Sequence, residues 1–241
     1  VFAGDTASVG SGVISPDGQW MLGVDNTTLR LWNMADGQCL QRFSGYKGYI
    51  QQCVFSPDGL SILSAADDHT LRLWHVASGD CLRIFTGHGD WVRGCGFSPN
   101  GQQVFSASWD KTLRLWDVNS GNCLRIFTGH KSWLTDCAIA PDGQTLFSAS
   151  GDKTLRLWDV NNGECLQVFS GHESTVNACT FAPDGKTVLS ASDDKTLKLW
   201  HGQNGQCLGT LTGHNSAVTS CAFAPNGQTI ISASGDKTLR L

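Results

Sequence analysis

Serine, histidine and aspartate are the side chains from which a nucleophilic hydrolase builds its centre, and they recur together along this chain. His88, Ser106 and Asp110 form one set, His130, Ser148 and Asp152 the next, and His172, Ser190 and Asp194 a third. A serine nucleophile needs a base, a group that orients the base and an oxyanion site, and it needs them once, in a positioned cleft. Here the set is copied. A hydroxyl, an imidazole, a carboxylate and an indole also have an ordinary reason to meet. They satisfy one another inside an apolar sheet stack, where an unpaired polar group costs about 1–3 kcal/mol. No catalytic constellation occurs once and alone, so the sequence points away from an enzyme.

The copying has a fixed interval. Trp32, Trp74, Trp116, Trp158 and Trp200 are each 42 residues apart. Cys39, Cys81, Cys123, Cys165 and Cys207 keep the interval, and so do Cys53, Cys95, Cys137, Cys179 and Cys221. Tyr46, His88, His130, His172 and His214 keep it too. A strand-rich unit repeated every 40–45 residues or so is the signature of propeller blades. The cysteines form no CxxC pair and the histidines have no metal-ligand spacing, so no metal and no cofactor is expected. Each cysteine sits in an apolar strand pattern and reads as a small buried hydrophobe in a reducing, cytoplasmic setting.

The net charge of −4 is mild and no basic stripe appears, which argues against nucleic acid and anionic membranes as partners. No apolar run reaches the roughly 18–20 residues that span a bilayer. The chain begins at Val1 without a methionine or a signal-like segment, and the expectation is a fragment or a processed piece.

One unit predicts four strands. Val92–Ser98 is the first, closed by a Pro-Asn-Gly turn. Gln103–Ser108 is the second, Thr112–Trp116 the third and Cys123–Phe127 the fourth. A lone four-stranded sheet leaves apolar faces open, and stacking the next copy covers them. The first strand is then covered on both sides, as Cys95-Gly96-Phe97 suggests, and the fourth carries charge on one face at Arg83 and Arg125.

Gly-His at the unit start, Ser-Ala-Ser-x-Asp-Lys-Thr-Leu-Arg-Leu-Trp near its end, and Trp-Asp at Trp116-Asp117 and Trp158-Asp159 resemble the WD-repeat (WD40) family over the whole chain. The close likeness among the copies is similar to that of highly regular bacterial members, cyanobacterial ones included. There are departures: Trp32-Asn33, Trp74-His75 and Trp200-His201 lack the Trp-Asp pair, and Gly4-Asp5 stands where Gly-His should. The resemblance implies an all-β propeller of four-stranded antiparallel blades. It also implies a buried hydrogen-bond network at His88, Ser106, Asp110 and Trp116. The same network falls at His130, Ser148, Asp152 and Trp158, and at His172, Ser190, Asp194 and Trp200. Tyr46 replaces the histidine in the set with Ser64, Asp68 and Trp74, and Asn26 replaces the turn aspartate of the first unit.

The copies disagree at a few register positions. Three residues after the histidine position come Tyr49, Trp91, Trp133, Thr175 and Ala217. Five after it come Gln51, Arg93, Thr135, Asn177 and Thr219, and six after it Gln52, Gly94, Asp136, Ala178 and Ser220. Just before the turn aspartate come Asp67, Trp109, Gly151, Asp193 and Gly235. Ser8, Gly10 and Asp25 align with them in the first unit. In an antiparallel sheet these positions lie at one end of the strands, opposite the Pro-Asp-Gly turns. The resemblance implies that partners are contacted there. Drift on a free surface mostly yields Lys, Glu, Ser and Thr, whereas Trp91, Trp109, Trp133, Tyr49 and Arg93 are residue types of binding hot spots. The three tryptophans are expected on one sector of this rim. Arg93, Asp136 and Asn177 are also candidates to project into a central channel, where water is the simpler occupant. Trp20 reads as local packing.

Six copies of the first three strands are present and five full copies of the fourth, with Val1-Phe2 matching only the tail of another. The expectation is one propeller domain over residues 1–241, its last blade lacking an outer strand, with six blades here and seven if the chain is part of a longer one. The open edge implies self-association or a segment that fills it. The function expected is a non-enzymatic module that presents the variable surface to a protein or peptide. The family likeness extends this to the sensor part of a larger bacterial signalling protein. A lectin-like or small-ligand propeller using its surface tryptophans is the alternative.

Overall fold

The computed structural model describes residues 12–241. The readings made at Val1-Phe2, Gly4-Asp5, Ser8 and Gly10 lie outside the described residues. Every described element is a strand. The first sheet holds β1 (Gly12–Ile14), β2 (Trp20–Asp25), β3 (Thr28–Asn33) and β4 (Cys39–Phe43). The second holds β5 (Ile50–Phe55), β6 (Ser61–Ala66), β7 (Leu71–His75) and β8 (Cys81–Phe85). The third holds β9 (Val92–Phe97), β10 (Gln103–Ser108), β11 (Leu113–Asp117) and β12 (Cys123–Phe127). The fourth holds β13 (Leu134–Ile139), β14 (Thr145–Ser150), β15 (Thr154–Asp159) and β16 (Cys165–Ser170). The fifth holds β17 (Val176–Phe181), β18 (Thr187–Ser192), β19 (Leu197–His201) and β20 (Cys207–Leu211). The sixth holds β21 (Val218–Phe223), β22 (Ile230–Ser234) and β23 (Leu239–Arg240). Strands adjacent in sequence are adjacent in each sheet, as tight turns between alternating strands dictate.

The chain packs as two compact units, Val1–Asp110 with Leu115–Leu124, and Lys111–Arg114 with Arg125–Leu241. In the first unit Leu22, Leu29 and Phe43 of the first sheet pack on Ile50, Cys53, Ile62 and Trp74 of the second. Leu63, Leu71 and Phe85 of the second then pack on Val92, Cys95, Val104 and Trp116 of the third. In the second unit Phe147, Leu155 and Phe169 pack on Val176, Cys179, Val188 and Trp200, and Leu189 and Leu197 pack on Val218. Within each unit, then, each sheet covers one face of the next. The periodic tryptophan has a periodic partner in the preceding sheet. Phe43 meets Trp74 with ring centroids 5.7 Å apart, Phe85 meets Trp116 at 5.9 Å, and Phe169 meets Trp200 at 5.9 Å.

The charged residues of the fourth strands reach to the following sheet. Arg83 Nη1 donates to Ser120 O at 3.1 Å, and Arg125 Nη1 donates to Asn162 O at 2.8 Å. Gly121 is required beneath this clamp: its φ is +76°, and a Cβ there would lie 2.9 Å from Arg83 Cδ.

The cysteine reading needs a correction. Cys53, Cys95, Cys137 and Cys179 on the first strands are buried and Cys221 is half-buried, but Cys39, Cys81, Cys123, Cys165 and Cys207 are exposed. The register shifts between Leu73 and Trp74 where the latter faces Cys81, so the thiol does not follow the indole inward. Burial pushes the Cys53 thiol up to about 12, the behaviour of an inert core group, and also raises that of Cys81. Among the described residues no helix is long and apolar enough to cross a membrane.

Candidate functional site

The repeated Ser-His-Asp set forms a continuous hydrogen-bond chain. Trp158 Nε1 donates to Ser148 Oγ at 2.8 Å. Ser148 Oγ lies 2.7 Å from His130 Nε2, and His130 Nδ1 lies 2.8 Å from Asp152 Oδ2. An ionised carboxylate only accepts, so the Nδ1–H donates to Asp152, and Nε2 is left to accept the Ser148 O–H. Asp152 also accepts from the Lys131 N–H at 2.9 Å and the Thr154 hydroxyl at 2.6 Å. Burial works to raise its pKa, but the bonds from His130 and Thr154 outweigh it and hold the carboxyl well below the usual range.

The same chain recurs with Trp116, Ser106, His88 and Asp110, at 2.9, 2.7 and 2.7 Å. It recurs again with Trp200, Ser190, His172 and Asp194, at 2.8, 2.7 and 2.7 Å. The distances are those of a hydrolase triad. The setting is not, because Ser106, Ser148 and Ser190 are 0% exposed and their hydroxyls are committed to the indole and the imidazole. In the second sheet Tyr46 OH meets Ser64 Oγ and accepts from Trp74 Nε1 at 2.7 Å. In the first, Asn26 occupies the turn and the acid shifts by one residue, Asp25 accepting from Arg30 Nη2 at 2.7 Å.

The positions at which the copies differ are joined through the backbone. Asp67 N–H donates to Tyr49 O and Trp109 N–H to Trp91 O, both at 2.9 Å. Gly151 N–H donates to Trp133 O at 2.9 Å, and Asp193 N–H to Thr175 O at 3.0 Å. The residue three after the histidine position and the residue before the turn aspartate are therefore neighbours in every one of these sheets.

Side chains extend this into a row across the second and third sheets. Trp91 stacks on Trp109 with centroids 4.5 Å apart and planes 28° apart. The Arg93 guanidinium lies 5.6 Å from the Trp109 ring centre. Arg93 Nη1 donates to Gln51 Oε1, and Gln51 Nε2 donates to Asp67 Oδ1 at 2.7 Å. Burial raises the Asp67 carboxyl against the bond from Gln51 and the charge of Arg93, and burial lowers the Arg93 guanidinium against the charge of Asp67. Tyr49 is 58% exposed and Trp91 36%, while Trp109 and Arg93 are half-buried.

Trp91 and Trp109 thus flank the β9–β10 pair of one sheet. Trp133 belongs to the other compact unit, is exposed, and lies over Gly151, where a Cβ would be 2.6 Å from its Cε2.

The remaining candidates are tied to neighbouring first strands. Thr135 Oγ1 donates to Val176 O at 2.5 Å, and Asn177 Nδ2 donates to Val218 O at 2.9 Å and to Asp193 Oδ1 at 2.7 Å. Asp136 Oδ2 accepts from Cys179 N–H at 3.0 Å. Gln52 does the same in the first unit, its Oε1 accepting from Cys95 N–H at 2.5 Å. Arg93, Asp136 and Asn177 are thus engaged with neighbouring side chains and strands. Sequence reasoning missed the second serine of Ser-Ala-Ser. Ser108 Oγ donates to Asp90 O at 3.0 Å and accepts from Asp110 N–H at 3.1 Å, anchoring the turn. Its constancy in four copies was the available signal.

Among the described residues no group of three His, Cys, Asp or Glu is placed to hold a metal ion. The arrangement offers an aromatic and cationic surface on a rigid support. A family model described as WD domain, G-beta repeat matches residues 1–33, 37–75, 79–117, 121–159, 163–201 and 205–241. Comparison with curated proteins found no match.

Proposed function

From a chain that belongs to the WD40 repeat family, matched over six repeats, we infer a non-enzymatic binding module that offers the variable end of its strands to a protein or peptide. WD40 propellers are typically protein-interaction scaffolds. The observation that carries the reading for this chain is the row Trp91, Trp109, Arg93, Gln51 and Asp67. Two stacked indoles beside a half-buried guanidinium combine the residue types that dominate hot spots, and Tyr49 extends the exposed apolar area. The row is held by hydrogen bonds before any partner arrives, so little ordering cost falls on binding.

The reading takes residues 1–241 as one propeller domain, a cytoplasmic sensor or scaffold of a larger signalling protein, with self-association through the exposed edge strand β23 as a further contact. It treats the repeated Ser-His-Asp sets as structural, since their serines are sealed. The test is selection of peptides from a displayed library on the whole chain. Binders are expected to lose about tenfold or more in affinity on Trp91→Ala or Arg93→Ala, about 1.4 kcal/mol or more. Selected binders indifferent to both substitutions would remove the reading.

A further inference from the structure

Two departures from the repeat meet at the other end of the strands. Trp20 opens β2 where the fifth repeat has Thr187. Leu60 follows Gly59 where the sixth repeat has Gln228, and beside them His75 ends β7 as His201 ends β19. Each alone reads as drift. Together with Pro16, Asp17, Asp58 and Val76 they line one cavity of about 270 Å³ between the first and second sheets.

Its walls and its rim differ in kind. Trp20 packs against the core of these two sheets, which fixes the ring, while Leu60 is 61% exposed. Asp17 Oδ1 accepts from the Ser15 hydroxyl at 2.6 Å and from Gln19 N–H at 3.0 Å. Asp58 Oδ1 accepts from the Ser56 hydroxyl at 2.6 Å and from Leu60 N–H at 2.9 Å. These bonds, the serine hydroxyl first in each case, lower both carboxyls, so two anions stand at the rim at neutral pH. In both, the second oxygen makes no bond among the described residues. His75 is steadied by Ser78, Nδ1 to Oγ at 3.0 Å. The equivalent groove between the fifth and sixth sheets is lined by Asp184, Thr187, Asn226 and Gln228, with one carboxylate and no indole. The position of Trp20 holds Ser61, Gln103, Thr145, Thr187 and Thr229 in the other repeats, so the aromatic wall beside the acids is particular to the first groove.

We propose that this cavity binds a small organic ammonium ion with an apolar body. The indole and Leu60 take the body, and the free carboxylate oxygens take the charge. A cation near an indole gains about 0.5–2 kcal/mol beyond its charge pairing. The volume lies just under the roughly 300–1,000 Å³ of ordinary ligand pockets, which selects a small ligand. The site is separate from the Trp91 row and stands without it.

The test is calorimetric titration of the whole chain with phenethylammonium, n-hexylammonium, 2-phenylethanol and phenylacetate. The Trp20 indole N–H resonance is followed alongside, assigned through Trp20→Phe. One or both ammonium ions are expected to saturate and to shift that resonance. The alcohol should bind at least about tenfold more weakly and phenylacetate not at all. Trp20→Thr with Leu60→Gln restores repeat residues and should abolish binding. Leu60→Gln alone, an exposed change that leaves the core intact, should weaken it. Asp17→Asn with Asp58→Asn should cost about tenfold or more, and Trp91→Ala nothing. Absence of saturable binding by either ammonium ion, equal binding of the alcohol, or full affinity after Leu60→Gln and Asp17→Asn with Asp58→Asn would overturn the proposal.

Discussion

The indoles of Trp91 and Trp109 stack at 4.5 Å while the Trp109 N–H donates to the Trp91 carbonyl at 2.9 Å. The backbone bond sets the separation, and the side chains use it. In the fourth sheet the same bond joins Trp133 and Gly151, and there a single indole lies over bare backbone. One register position thus accepts either a partner ring or none. Trp109→Gly should therefore keep the fold. It removes the stack, worth about 0.5–1.5 kcal/mol, and takes the ring from beneath Arg93. Chemical denaturation should show a loss of that order, and the far-ultraviolet circular-dichroism exciton couplet of the indole pair should vanish. A retained signal would mean that the stack does not form in solution.

Gly151 is constrained from the other side. Its φ is ordinary, so strain is not at issue, but an added Cβ would meet Trp133 Cε2 at 2.6 Å. Gly151→Ala should swing the exposed ring away. Stability should change by less than about 1 kcal/mol, as for surface sites, while the Trp133 indole resonance moves. An unmoved resonance would contradict the close approach.

Ser148 is the junction of a buried chain, accepting from Trp158 and standing 2.7 Å from His130. Ser148→Ala strands an indole N–H and an imidazole nitrogen together. At about 1–3 kcal/mol for each of the two buried unsatisfied groups, the expected loss is about 2–6 kcal/mol. Urea denaturation measures it, and a loss below about 1 kcal/mol would show that water replaces the hydroxyl.

The repeated strands were legible because every copy repeats the alternation and the turn residues. Gln103–Ser108 and Cys123–Phe127 appear at the expected bounds. The network came instead from the family resemblance, whose residues are joined at Trp158, Ser148, His130 and Asp152. The exposed fourth-strand cysteines were not: a period of 42 says that a position is constant, but not which way it points, and a one-residue register shift reverses that. The ties from Gln52 to Cys95 and from Asp136 to Cys179 were equally hidden. They join a variable side chain to a backbone N–H of another sheet, and backbone groups leave no trace in composition. The cavity at Trp20, Leu60 and His75 escaped because its residues are far apart in a unit and only the stacking of two sheets brings them together.

The network also sets a direction for acid sensitivity. Burial holds the His172 imidazole below its ordinary value of 6.5, against the pull of Asp194. The unfolded chain then binds a proton more readily than the folded one, so this contribution to stability is present above the unfolded value and is lost as pH falls through it. Asp194 is lowered from 3.8 to about 2: burial opposes the shift, and the Thr196 hydroxyl, the Glu173 N–H and His172 outweigh it. Its contribution is present above the unfolded value and is lost as pH falls towards about 2. Both act in one direction. The melting temperature should be flat above neutrality, decline as pH falls below about 6.5, and decline again below about 4. His172→Tyr, which installs the residue found at Tyr46, should flatten the upper step and also shrink the lower one, since His172 is one of the groups that hold Asp194 down. Asp194→Asn should reduce the lower step. A melting temperature that rises between neutrality and about pH 6 would reverse the sign and remove the burial argument for His172.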